Sequence, residues 1–90
     1  MKATLEISYY PLTDNYRQHI IDFIQNLRES YSELSFEING LSTQIFGDYS
    51  LISKIFEVDL KNELEKGKCV FVLKLAPTER RKENLPIELK

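Results

Sequence analysis

The strongest constraint on this chain is the order in which its hydrophobic period changes. Strict alternation of apolar and polar residues marks a half-buried strand, and apolar residues three and four apart mark an amphipathic helix. Thr4 to Tyr10 alternates, with Leu5, Ile7 and Tyr9 on one face and Thr4, Glu6, Ser8 and Tyr10 on the other. Pro11 ends the run because it has no N–H for a ladder. Ile20, Phe23, Ile24, Leu27 and Tyr31 then recur at helical spacing, with Thr13 or Asp14 as the expected cap. Leu34, Phe36 and Ile38 return to alternation, Asn39-Gly40 interrupts, and a second alternating run opens at Leu41. Asn-Gly between such runs predicts a two-residue hairpin turn. That turn pairs Ile38 with Leu41, Phe36 with Thr43 and Leu34 with Ile45, all toward the core, and puts Ser35, Glu37, Ser42, Gln44 and Phe46 on the opposite face. From about Tyr49 to Lys66 the period is helical again, with Ile52, Ile55, Phe56, Leu60 and Leu64 in one stripe and Gly67 at the C-cap position. Cys69 to Leu75 is almost continuously apolar, as in a strand with both faces at least partly covered.

Strand, helix, strand, strand, helix, strand around one central hairpin predicts an α+β chain. The expected architecture is a ferredoxin-like βαββαβ plait, a four-stranded antiparallel sheet with two helices on one face. Ninety residues leave room for a single domain over 1–90, in which 76–90 is a polar C-terminal tail. Hydrophobic residues at 42% and charged residues at 29% fit a globular rather than a disordered chain. A domain of this size gains from extra burial, so a homo-oligomer is expected. Twelve basic residues against 14 acidic ones, net charge -2, lack the basic footprint of a nucleic-acid binder. The same balance does not favour an anionic membrane surface. Met1-Lys2-Ala3 leads straight into the first strand without an apolar core segment, so no signal peptide is expected. No apolar run approaches the roughly 20 residues that span a bilayer. Cys69 is the only cysteine, which excludes an intrachain disulfide, and the expected location is the cytoplasm.

With the helices on one sheet face, the other face is the natural place for function. Its expected members include Glu6, Ser8, Tyr10, Glu37, Gln44 and Phe46, two carboxylates among small hydroxyl, amide and aromatic groups. That chemistry suits a cationic or hydrogen-bonding small ligand; an ordinary solvated sheet face is the alternative. His19 is the only histidine and has no second ligand at zinc spacing. Cys69 opens an apolar strand with Lys68 as its sole adjacent base, which favours an inert buried thiol over a nucleophile. Three glycines cannot build a phosphate-cradling loop. An RNA-binding plait would need stacking aromatics on its third strand, where only Phe46 qualifies. An acylphosphatase-like site would need an arginine in the loop Tyr10-Pro11-Leu12-Thr13-Asp14. No acid–base pair is nominated, so no catalytic residue, metal or cofactor is expected and the chain is not expected to be an enzyme.

The opening strand ends in Tyr10-Pro11-Leu12, the third carries Thr43-Gln44-Ile45-Phe46-Gly47-Asp48, the second helix ends at Gly67, and the last strand leaves through Lys74 to Arg81. In these features, from about Ala3 to Arg81, the chain resembles the small YkoF-like thiamine-binding proteins, also described as thiamine/hydroxymethylpyrimidine-binding domains. The resemblance implies a self-associating plait that binds thiamine or its pyrimidine moiety without converting it. Glu6 or Glu37 would offset the thiazolium charge, Tyr10 or Phe46 would stack on it, and Ser8 and Gln44 would hydrogen-bond the aminopyrimidine. The competing expectation is a structural or regulatory self-assembly domain with no metabolite.

Overall fold

Ala3, Leu5 and Ile7 project from one face of the first strand and are almost fully buried. They meet Phe23 and Leu27 of the first helix and Ile52, Ile55 and Leu60 of the second helical stretch in one apolar cluster. The computed structural model describes residues 1–90. Its strands are β1 (Lys2–Pro11), β2 (Ser35–Ile38), β3 (Thr43–Asp48) and β4 (Cys69–Pro77), and its first helix is α1 (Tyr16–Ser30). The second helical stretch runs unbroken through α2 (Tyr49–Lys54), a π-helical turn (Ile55–Leu60) and α3 (Lys61–Glu65). The sheet order is β2-β3-β1-β4 with every neighbouring pair antiparallel. This is the ferredoxin-like plait that the alternating periods predict.

Several local expectations change, each for a visible reason. The hairpin pairs Ile38 with Thr43, Phe36 with Ile45 and Ser35 with Phe46. Its register is therefore two residues away from that of a two-residue turn. Asn39 builds a wider loop: its Oδ1 accepts the N–H groups of Leu41 (2.8 Å) and Ser42 (3.0 Å), and its own N–H donates to Ser42 O at 3.1 Å. This side-chain turn replaces the left-handed pair that Asn-Gly usually supplies, and Gly40 does not adopt positive φ. A shift of two preserves the faces, so Thr43 and Ile45 stay buried, while Leu41 leaves the core and is 88% exposed. Gly47 is the residue that needs to be glycine here. It sits inside β3 at φ +154°, and a Cβ there would collide with the Leu34 side chain.

The second helical stretch carries buried residues at Ile52, Ile55 and Leu60, a step of five that 3.6 residues per turn cannot keep on one face. The π turn, with its i→i+5 spacing, restores the alignment. Phe56 and Leu64, expected in the same stripe, are instead exposed at 38% and 56%. Helix α1 starts later than expected, with Asn15 at the N-cap and no side-chain cap bond. Strand β4 runs on to Pro77, and as the sheet edge it leaves Val70, Val72 and Leu75 half exposed. The segment after it is not a free tail. Thr78 N–H donates to Lys2 O (3.0 Å), Thr4 Oγ1 donates to Thr78 O (2.8 Å) and accepts from Arg80 N–H (2.7 Å), so the chain turns back over the open sheet face. No helix is long and apolar enough to cross a membrane.

Candidate functional site

Glu6 lies on β1 between Gln44 of β3 and Lys74 of β4 in the sheet register. Its carboxylate accepts from Ser42 Oγ (3.1 Å) and Gln44 Nε2 (3.3 Å) and stands 3.8 Å from Lys74 Nζ. Glu37 faces Gln44 across the β2–β3 pair. Ser8 Oγ donates to Leu41 O at 3.4 Å, tying the hairpin loop to β1. Four of the residues expected on the open face therefore form one patch. Glu6, Gln44 and Glu37 share its polar centre, and Ser8 fastens its edge.

Phe46 departs from expectation. It points to the open face but is fully buried, and the Arg81 guanidinium lies 4.8 Å from its ring centroid. The returning C-terminal segment covers it, so it offers no free stacking surface. A strand pattern alone carries no signal of a distant segment folding over one of its residues.

Tyr10, at the end of β1, belongs to a different feature. Between α1, the end of β1 and the hairpin loop lies a cavity of about 420 Å³. Its walls are mainly Ile7, Tyr9, Tyr10, Tyr16, Ile20 and Phe23, and Asn39, Ser42 and Thr43 supply the polar groups. Volume and lining both match a small-molecule pocket, apolar and aromatic with a few placed polar atoms. The rim is apolar as well: Tyr10, Leu12, Tyr16 and Leu41 are 51%, 64%, 57% and 88% exposed. Clustered exposed apolar groups of this kind mark binding surfaces. Ser42 connects the two features, lining the cavity while bonding Glu6. The one sequence signal for this pocket is the placement of Leu12, Tyr16 and Leu41 at loop and helix-start positions that the core does not use.

Tyr9, a residue of the cavity wall, is packed and hydrogen-bonded on its far side. Tyr9 stacks on Phe71 (4.5 Å between centroids, 19° between planes) and meets Phe23 edge-on at 5.1 Å. Its hydroxyl donates to Glu63 Oε2 at 2.6 Å. Tyr31 does the same to Asp59 Oδ2, also at 2.6 Å. Both phenols are pushed well above their usual range, first by burial and then by the bonded carboxylates. The Cys69 thiol is also raised, chiefly by burial and secondarily by Glu63, with Lys66 opposing. Near Cys69 a smaller cavity of about 160 Å³ is lined by His19, Glu63, Lys66 and Lys68. No three His, Cys, Asp or Glu side chains come together as metal ligands.

No protein-family profile and no curated protein matches the chain. Solved structures do. A Streptococcus pneumoniae protein aligns with TM-score 0.70 and 18% identity over 89% of this chain and 90% of its own. A hypothetical protein of Methanocaldococcus jannascii aligns at 0.59 and 26% identity, covering 97% and 89%. A Thermotoga maritima protein, provisionally described as one of thiamine biosynthesis or salvage, aligns at 0.58 and 22% identity, covering 98% and 92%. Near-complete coverage at such low identity establishes that this chain shares their fold.

Proposed function

We propose that this protein is a non-catalytic, self-associating binding protein of the YkoF-like type, whose ligand is thiamine or its hydroxymethylpyrimidine moiety. The observation that carries the proposal is the aromatic-lined cavity between α1 and the β2–β3 hairpin. A flat heteroaromatic ring suits walls of Tyr9, Tyr16 and Phe23, and Asn39, Ser42 and Thr43 offer the donors and acceptors that an aminopyrimidine needs. Glu6 reaches the cavity rim through Ser42 and supplies the negative charge that favours a thiazolium over a neutral ligand. The fold shared with the Thermotoga maritima protein supports the same reading.

A second reading, self-assembly without a metabolite, draws on one feature. Strand β4 is a nine-residue edge flanked by exposed Val70, Val72 and Leu75 and by a groove holding Phe56 and Leu64. Unprotected edges of this kind pair with other chains. Titration calorimetry and thermal shift with thiamine, hydroxymethylpyrimidine and unrelated nucleosides separate the readings, since a ligand of the native state raises the melting temperature. Binding of the first two compounds alone is the expected result. An oligomer by sedimentation with no ligand response at millimolar concentration would establish the second reading instead.

A further inference from the structure

The open sheet face carries a fully buried aromatic ring that stands apart from the core cluster beneath the helices. Phe46 is 0% exposed, yet the core cluster on the helix side does not include it. What covers it is a planar cation. The Arg81 guanidinium sits 4.8 Å from the ring centroid, its Nε donates to Glu79 Oε1 at 2.8 Å, and its Nη2 donates to Ser35 Oγ at 3.1 Å. An aromatic floor, a carboxylate and a hydroxyl form a full recognition set for a delocalised planar cation. Here the chain supplies that cation itself.

We infer that Phe46, Ser35 and Glu79 form a binding site for small planar cations of the guanidinium or amidinium class, and that Arg81 occupies it as a tethered stand-in. The segment that carries Glu79 and Arg81 is pinned to the sheet. Thr78, the first residue after β4, is the only non-glycine residue at positive φ (63°), a conformation unfavourable for a β-branched side chain. Bonds to Lys2 and Thr4 hold it there. Rotation of the Arg81 side chain off the ring, with Glu79 left in place, uncovers Phe46. A tethered group competes at high effective concentration, so the intact chain binds an added cation weakly.

The test compares the wild type with Arg81→Ala, and with Arg81→Gln should the alanine variant fold poorly. Methylguanidinium is the planar probe and methylammonium the compact control of equal charge. Binding is read from the NMR shifts of the Phe46 ring and Ser35 amide and from melting temperature. Arg81→Ala is expected to melt lower than wild type, to be partly restored by millimolar methylguanidinium, and to bind it at least about tenfold more tightly than wild type does. Tenfold corresponds to a latch closed by about 1.4 kcal/mol. Methylammonium is expected to do little in any variant. The site is disproved if Arg81→Ala does not respond, if both cations act equally, or if wild type and Arg81→Ala respond alike.

Discussion

At the scale of single residues, the two tyrosine–carboxylate bonds are the polar interactions with the clearest energetic consequence. The Glu63 side chain is only 13% exposed, so the Tyr9 hydroxyl meets its carboxylate with little competition from water. Hydrogen bonds to charged groups contribute about 1.5–3 kcal/mol. Tyr9→Phe is expected to lose stability in that range, and Tyr31→Phe somewhat less. The pH dependence has a definite sign. Both folded phenols titrate above the ordinary value of 10.0, so their contribution is complete below that pH and disappears as the pH rises through the raised values. In urea melts, the gap between wild type and each Phe variant should narrow as the pH passes above 10. A gap that stays constant would mean that the hydroxyls contribute through packing alone. Cys69 follows the same logic: its raised thiol should alkylate more slowly at pH 8 than after unfolding, as iodoacetamide kinetics would register.

Among elements, the hairpin and β3 assign different tasks to their glycines. A Cβ added at Gly40 would meet nothing within 4 Å, and the backbone there is not left-handed, so Gly40→Ala should change stability by less than about 0.5 kcal/mol. Gly47 combines φ +154° with a collision against Leu34, and Gly47→Ala should cost about 2–4 kcal/mol. Asn39→Ala removes the acceptor for two loop N–H groups and should cost about 1 kcal/mol. Denaturant midpoints for the three variants give the comparison. Equal costs at Gly40 and Gly47 would contradict this account of the hairpin. The π turn belongs to the same scale, because it carries Leu60 to the core while Asp59 meets Tyr31.

For the whole molecule, the cavity and the Glu6 patch make separable contributions to binding. Tyr16→Ala removes part of the cavity wall and should weaken thiamine and hydroxymethylpyrimidine alike, by about tenfold for a ring contact of roughly 1.4 kcal/mol. Glu6→Gln keeps the bonds to Ser42 and Gln44 feasible while removing the charge. It should weaken thiamine more than the uncharged pyrimidine, by less than about 1 kcal/mol because Lys74 and solvent already screen the carboxylate. Titration of both ligands against both variants measures the difference. Equal losses from Glu6→Gln would assign that side chain to the pyrimidine instead.

The periods of the sequence determined which segments are strands and helices, and their order determined the plait, because each amphipathic element has one face to bury and few layered arrangements bury them all. Leu5, Ile7, Phe23, Leu27, Ile45 and Ile52 were legible as core for that reason. Glu6, Gln44 and Glu37 were legible as neighbours because strand parity fixes which side chains share a face. Tertiary structure alone decided the rest. Asn39 chose a wider loop through its own side chain, and the register followed the loop. The cavity exists because the hairpin loop, distant in sequence, packs against the β1–α1 junction and leaves a gap that neither segment encodes. Phe46 lost its exposed place to Arg81, 35 positions away along the chain, since a polar segment carries no period to reveal where it will fold back.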